Sequence, residues 1–371
     1  MAIGEGSVEG LELTQFRDVF RGCRVLLTGH TGFKGSWLAL WLTELGASVT
    51  GLSLQPPTSP SHWDLLGLEF PEHRLDIREA SGVEAAVTRA RPEIVFHLAA
   101  QSLVRRSYRE PVDTWSTNVV GTANVLDACR HASSVRAIVV VTSDKCYENS
   151  DAPRSHRETD PLGGRDPYSA SKAATELVAA SYRAAFLHGE KAPLLATARA
   201  GNVIGGGDWS EDRLIPDLAR AFAAGSALEI RSPDATRPWQ HVLESLSAYL
   251  LLGQKLLQGD RSCEGAWNFG PAPGNGVTVT DVLTRLREFW PGVEWRTTSQ
   301  PQPREAQSLS LDSSKARAHL GWRPVWSLDA ALRATAEWYR RYFLDEQTES
   351  RSQLQRYVVH AREAGLEWAT A

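Results

Sequence analysis

Cysteine is scarce in this chain: four residues of 371, Cys23, Cys129, Cys146 and Cys263, stand far apart and form no CxxC pair. That spacing excludes a disulfide framework or a zinc knuckle and leads us to expect reduced thiols. The ten histidines are as dispersed, with neither HxxxH nor HExxH, so no metal centre is expected. Basic runs are missing and the formal net charge is −4, which removes the usual electrostatic hold on nucleic acid or an anionic membrane. No apolar stretch approaches the roughly 18 to 20 residues that cross a bilayer. Met1 to Phe20 carries glutamates and glycines where a secretory signal has a basic start and an apolar stretch. The expectation is a soluble cytoplasmic protein, long enough for one large α/β domain or two domains sharing a cleft.

What is present is concentrated in Thr28-Gly29-His30-Thr31-Gly32-Phe33-Lys34-Gly35. It follows the short apolar run Arg24-Val25-Leu26-Leu27 and precedes Ser36-Trp37-Leu38-Ala39-Leu40-Trp41-Leu42, which suits a buried helix. A glycine-rich turn between strand and helix brings backbone N–H groups and the positive end of a helix dipole to one point, where a pyrophosphate can sit. The spacing Gly29-x-x-Gly32-x-x-Gly35 also suits a plain tight turn, so the surrounding chain must decide.

A further absence bears on the cofactor. Ala47 to Leu54 reads as a second strand, but Ser53-Leu54-Gln55-Pro56-Pro57 at its tip offers neither the acid nor the arginine that separates NAD from NADP sites. His30 and Lys34 inside the turn are the nearest groups able to hold the adenosine ribose or the pyrophosphate. His73 to Arg78 and Glu93 to Ala100 read as further strands around a helix over Gly82 to Ala90. This alternation predicts a doubly wound parallel sheet of the α/β class, with ligands at the carboxyl ends of its strands. Asp76 could accept a hydrogen bond from an adenine amino group, whereas His97 lies within an apolar run and reads as a satisfied core histidine.

Val112 to His131 reads as one long helix, and Arg136 to Thr142 as a strand ending in Ser143-Asp144-Lys145-Cys146-Tyr147. A hydroxyl, a carboxylate and an amine thus reach the active edge together, a set suited to proton transfer. Tyr168-Ser169-Ala170-Ser171-Lys172 opens the next helix, and its i, i+4 spacing puts Tyr168 and Lys172 on one face. An ammonium beside a phenol favours the phenolate, so Lys172 is expected to lower the pKa of Tyr168 toward neutrality.

Together with Gly29 to Gly35, the segments His97-Leu98-Ala99-Ala100-Gln101-Ser102, Thr142 to Tyr147, Ala200 to Trp209 and Arg237-Pro238-Trp239-Gln240-His241-Val242 resemble the extended short-chain dehydrogenase/reductases. Within them the chain is similar to the sugar-nucleotide 4,6-dehydratases over about residues 22 to 340. Asp144-Lys145, where relatives acting on dTDP-glucose carry Asp-Glu, points to the CDP-sugar branch and so to CDP-glucose as substrate.

The resemblance implies a Rossmann-type fold and NAD that is retained and regenerated. NAD contacts are implied at Gly29, His30, Gly32, Phe33, Lys34, Gly35, Asp76, Ile77, Leu98, Ala99, Ala100, Asn118, Tyr168 and Lys172. It implies catalysis by Tyr168 with Lys172, Ser143, Asp144 as acid and Lys145 as the base at sugar C5. For that role Lys145 must be kept neutral by burial and by the nearby Lys172 cation. Substrate contacts are implied at Gln101, Ser102, Asn202, Arg213, Arg237, Asn268 and Arg304, since a nucleoside diphosphate needs cations and amide donors. The expected division is 1–202 with 241–269 as the NAD domain, 203–240 with 270–345 as the sugar-nucleotide domain, and 346–371 as a terminal helix or tail. A homodimer or homotetramer joined through the helices at 112–131 and 168–187 is implied as well. The rival readings are a UDP- or dTDP-sugar 4-epimerase or dehydratase of the same fold, and a non-catalytic dinucleotide sensor.

Overall fold

The computed structural model describes residues 15–148, 154–271, 277–298 and 309–370. Strands β1 (Arg24–Thr28), β2 (Ser48–Ser53), β3 (Glu72–Arg74), β4 (Ile94–His97), β5 (Ala137–Val141), β6 (Leu194–Ala200) and β7 (Gly265–Phe269) form one sheet in the order β7-β6-β5-β4-β1-β2-β3. Every neighbouring pair is parallel. Parallel neighbours cannot be joined by tight hairpins, so the chain crosses over through helices that cover both faces.

The strand sequences carry this two-sided burial. Val25 and Leu27 point to one face and Leu26 to the other; Ile94 and Phe96 oppose Val95; Val139 and Val141 oppose Ile138 and Val140. The first face packs on α1 (Phe33–Glu44), the second on α2 (Ala80–Ala90), α3 (Gly121–His131) and α4 (Pro167–Ala185). After residue 240 the chain returns to the first face as α5 (Val242–Leu257), and β7 then pairs with β6 from Gly265 opposite Ala196 to Phe269 opposite Ala200.

Two segments differ from or sharpen the sequence reading. The expected long helix at 112–131 is interrupted: it runs over Pro111–Trp115, widens to a π-turn over Ser116–Val120 and resumes as α3. The Asn118 carbonyl in this turn accepts hydroxyl hydrogen bonds from Thr122 (2.7 Å) and from Thr175 of α4 (2.9 Å), and such interruptions recur at functional positions. Near the C-terminus, Ser350–Glu363 is a helix because its sparse apolar residues Leu354, Tyr357, Val358 and Ala361 share one buried face. Trp368 beyond it stacks on Phe16 at 5.0 Å.

Outside the main sheet, Leu228–Ile230 pairs with Trp295–Thr297, and Thr236–Arg237 with Val277–Thr278. No helix among the described residues is long and apolar enough to cross a membrane. All four cysteines are buried and unpaired. The winding reverses at β1, which has β2 on one side and β4 on the other, and the crevice at that switch point is where the site lies.

Candidate active site

The glycine turn is held against the sheet by contacts only glycine allows. Gly29 has φ +75°, and a Cβ there would lie 2.7 Å from the Ala99 nitrogen; a Cβ on Gly35 would lie 2.0 Å from the Gly29 carbonyl oxygen. The first turn of α1 therefore sits directly on the loop. Its N-cap, Gly32, brings no capping side chain, so the leading amides of α1 are left to an anion. Gly29, Gly32, Phe33, Lys34 and Gly35 all line a cleft of about 1400 Å³.

His30 does not reach this cleft wall. Its ring lies over Gly51, where a Cβ would meet it at 2.5 Å, and its Nε2 is 2.9 Å from a Glu72 carboxylate oxygen. It ties β1 to β2 and β3, and the role in holding ribose or pyrophosphate expected of it is not what its position offers. Lys34 lines the cleft but turns from the turn's phosphate edge toward α5, donating to the Tyr249 hydroxyl at 3.2 Å. Burial, with Arg213 next in weight, pushes its ammonium down to about 7, while Asp144 pulls the other way. This lysine stands in the field of Arg213, Asp144 and Lys172.

Asp76, Ile77, Leu98, Ala99 and Ala100 line the neighbouring wall. The Asp76 carboxylate is engaged by the Arg78 guanidinium (2.6 and 2.9 Å), which holds it below the usual carboxylate range. The Thr28 hydroxyl accepts from the Leu98 and Ala99 amides, both at 3.1 Å, and meets His97 Nδ1 at 2.7 Å, while His97 Nε2 meets Thr122 at 3.0 Å. His97 is thus a satisfied core residue. Asn118 is buried behind the wall: it accepts from the Gln101 amide (2.8 Å) and donates to the Gln101 carbonyl (3.0 Å) and Ser171 (2.9 Å). It braces the β4 exit loop against α4 and does not line the cleft.

The chemistry gathers where β5 ends and α4 begins. Asp166 caps α4 by accepting from the Ser169 amide at 2.9 Å, and Pro167 presets its first turn. Tyr168 and Lys172 project one turn apart into the cleft beside Ser143, Asp144 and Lys145. The Ser143 hydroxyl donates to Asp144 Oδ1 at 3.1 Å and accepts from the Lys145 amide at 3.2 Å. Asp144 Oδ2 is buried without a hydrogen-bond partner among the described residues.

One electrostatic expectation is corrected. Burial raises the Tyr168 phenol to about 12, with Ser143 and Arg213 only partly offsetting it. Lys172, itself pushed down to about 8 by burial, donates to the Val141 carbonyl at 3.2 Å. The lysine one helical turn away thus does not bring the phenol toward neutrality, because both groups lose solvation together. Lys145 is half-buried on the cleft wall.

The profile of the NAD dependent epimerase/dehydratase family matches residues 25–270. The chain belongs to this family. It is 44% identical to the CDP-glucose 4,6-dehydratase of Salmonella typhimurium over 338 residues, covering 89% of this chain and 94% of that one. It is 28% identical to a UDP-glucose 4-epimerase of Mycolicibacterium smegmatis, with 85% and 98% covered. Among solved structures, the UDP-glucose 4-epimerase of Thermus thermophilus in complex with NAD superposes with a TM-score of 0.71 at 28% identity, covering 85% of this chain and 99% of that one.

The residues present fit the family's NAD: a cradle that admits no Cβ at Gly29 or Gly35 and an uncapped helix start suit a pyrophosphate. Gln101, Ser102, Asn202, Arg213 and Arg237 also line the cleft. Gln101 commits its amide to Thr114 and Leu103. Arg213 bridges Asp208 (2.9 Å) and Ser102 (3.1 Å), and Arg237 is buried beside Trp239 on the cleft wall. Asn268 lies elsewhere, its side chain bonded to Tyr147 (2.6 Å) and the His156 carbonyl (2.9 Å). That places it in a buried network with Arg199 and Glu176. Arg304 lies outside the described residues.

Asp208, which orients Arg213, and Tyr249, which receives Lys34, were missed by reasoning from sequence. Asp208 stands within the segment Ala200 to Trp209, after Gly205-Gly206-Gly207, and could have been found there. Tyr249 is one of several polar residues in a largely apolar helix, 215 residues from Lys34, and nothing local marks it.

Proposed function

We propose that this protein removes water from CDP-glucose to give CDP-4-keto-6-deoxyglucose. The observation that carries this reading is the convergence of Ser143, Asp144 and Lys145 with Tyr168 and Lys172 in one cleft. Oxidation and reduction at C4 alone need Tyr168 and Lys172; the adjoining acid and amine suit elimination across C5 and C6. The Salmonella relative's name points the same way.

NAD, when bound, supplies a positively charged acceptor that takes hydride from C4 and returns it at C6. Tyr168 takes the proton of the C4 hydroxyl, and Ser143 hydrogen-bonds the developing carbonyl. The 4-keto group acidifies C5, and Lys145 in its neutral form takes that proton. Asp144, holding a proton, gives it to the departing C6 hydroxyl, and Lys145 then returns its proton to C5. Arg213 and Arg237 hold the nucleoside diphosphate as planar cations suited to paired phosphate oxygens. The test is separate incubation with CDP-glucose, UDP-glucose and dTDP-glucose, followed by mass spectrometry for the loss of one water. Loss from another nucleotide sugar alone would reject the cytidine assignment; isomers without water loss would mark a 4-epimerase.

Residues 203–240 with 270–345 form the sugar-nucleotide unit in this reading, supported by the small sheets that pair within them. A homodimer through 112–131 and 168–187 is supported by exposed apolar side chains there, Val112, Val120 and Leu177. Four buried, unpaired cysteines suit a cytoplasmic setting.

A further inference from the structure

A buried ion pair stands directly behind the catalytic groups, and the chemistry set out above makes no use of it. Glu176 follows Lys172 by one turn of α4, on the face that also carries Tyr168. Arg199 of β6 donates from Nη2 to Glu176 Oε2 at 2.8 Å, and the side chains of Arg199 and Glu176 are 4% and 3% exposed. Such a pair stabilises a fold no better than apolar residues of the same size, because both charges lose their hydration. Its value lies in what it holds.

It holds both ends of the segment that carries the acid and the amine. The Thr142 hydroxyl donates to Glu176 Oε1 at 2.5 Å, and Thr197 donates to Oε2 at 2.7 Å. On the far side Arg199 Nη1 donates to the Tyr147 hydroxyl at 2.7 Å, and its guanidinium lies 4.9 Å from the centre of that ring. Tyr147 in turn donates to Asn268 Oδ1 at 2.6 Å, Asn268 Nδ2 donates to the His156 carbonyl at 2.9 Å, and the His156 ring stacks on Tyr147 at 4.7 Å. Thr142, Glu176, Arg199 and Tyr147 thus close a ring with the main chain from Thr142 to Tyr147, and Ser143, Asp144 and Lys145 lie on that main chain. Each link has a fixed polarity, since the carboxylate only accepts and the guanidinium only donates. These four residues and Asn268 are buried and stand outside the cleft lining, so they act through the residues they hold.

We infer that Glu176, Arg199 and Tyr147 are positioning residues for the elimination, keeping Asp144 and Lys145 in register with Tyr168 and Lys172. The two halves of the reaction depend on them unequally. Tyr168 and Lys172 keep their places through α4, which is capped by Asp166 and packed on the sheet through Ala179, so oxidation at C4 survives a slack ring. Asp144 and Lys145 stand in a single 3-10 turn over Asp144–Cys146, too short to hold its place by its own hydrogen bonds. Tyr147 follows that turn directly, and without its hydroxyl this end of the segment is released from the ion pair and from β7. The role rests on the 4,6-dehydratase reading.

The test is Tyr147→Phe, which removes a hydroxyl outside the cleft and keeps the ring. In single turnovers of the NAD-loaded protein with CDP-glucose, the absorbance of reduced nicotinamide follows oxidation at C4, and mass spectrometry of quenched samples follows water loss. Oxidation should stay within about threefold of wild type while water loss slows by about 10- to 100-fold, the cost of misplacing a reacting group by up to about 1 Å. Reduced cofactor then persists longer than in wild type. Asn268→Ala, which frees the Tyr147 hydroxyl from β7, should show the same split at smaller size with the KM for CDP-glucose unchanged. Equal slowing of both steps, water loss within about twofold of wild type in both variants, or a raised KM in place of the split overturns the positioning role. Wild type that reduces its cofactor and returns only isomers, with no water lost, instead sinks the dehydratase reading on which the role rests.

Discussion

Replacing Gly35 by alanine should damage both the fold and the NAD seat, whereas the same change at Gly32 should do little to the fold. A Cβ on Gly35 would stand 2.0 Å from the Gly29 oxygen, 2.7 Å from its carbon and 2.9 Å from the His30 Cα, all main-chain atoms that cannot swing aside. The first contact is more than an ångström short of ordinary van der Waals distance, so α1 and the turn must part. Overpacking costs about 1–3 kcal/mol when neighbours can adjust, and here only backbone can, which places the cost near ~3 kcal/mol. For a chain this long that lowers the melting temperature by on the order of 5 °C. Losing about two charge-assisted hydrogen bonds to the pyrophosphate, at roughly 1.5–3 kcal/mol each, weakens NAD by about 100- to 10,000-fold. On Gly32 the Cβ meets the Gly29 oxygen at 3.4 Å and φ is −79°, which any residue adopts; exchanging the N-cap glycine for alanine costs about 1 kcal/mol or less. Calorimetric titration with NAD and thermal melts without it read both effects. A Gly35→Ala protein that melts and binds NAD like wild type, or a Gly32→Ala protein that melts as low as Gly35→Ala, would refute the cradle.

Tyr168→Phe should bind NAD as wild type does yet form no product, measured by titration and mass spectrometry; residual turnover within tenfold of wild type would assign the C4 base elsewhere. Lys145→Met should still oxidise C4 and reduce the cofactor but stall before water is lost, and full dehydration by this variant would remove Lys145 from the mechanism. Arg199→Leu leaves the Glu176 carboxylate, now bonded to Thr142, Thr197 and Arg199, as an uncompensated buried charge. Urea unfolding should show a loss of about 3–5 kcal/mol, and a loss below about 1 kcal/mol would contradict the burial seen. Glu244, fully enclosed with Trp326 and Tyr357, has its carboxyl raised from 4.5 to about 7 by burial. The folded state therefore holds this proton to higher pH than the unfolded chain, so its contribution is complete below about 4.5 and falls as pH rises through about 7. The difference in melting temperature between wild type and Glu244→Gln should shift against wild type from about pH 5 to 8, and a shift in favour of wild type over that range would refute it.

The site was legible where its parts are local. Strand, glycine turn and helix are consecutive, and Tyr168 and Lys172 are four residues apart on one helix. Ser143, Asp144 and Lys145 close one strand. Their types and order carry their meaning because backbone geometry alone puts them at one edge of a parallel sheet. Where a side chain points across elements was not legible: His30 looked like a ligand of the cofactor, but it fills the space over Gly51 and reaches Glu72. Asn118 and Asn268 looked like ligand contacts, and each is spent on joining the elements behind the cleft.

By itself the sequence determined the α/β alternation, the glycine turn between strand and helix and the grouping of Ser143, Asp144 and Lys145 at one strand end, since these follow from periodicity and from residues close along the chain. Only the tertiary structure decided which of the polar residues face the cleft, that Lys34 meets Tyr249, and that burial raises the Tyr168 phenol to about 12. Those outcomes depend on desolvation and on partners brought in by the sheet order β4-β1-β2 and by α5, and neither is encoded within reach of the residue concerned.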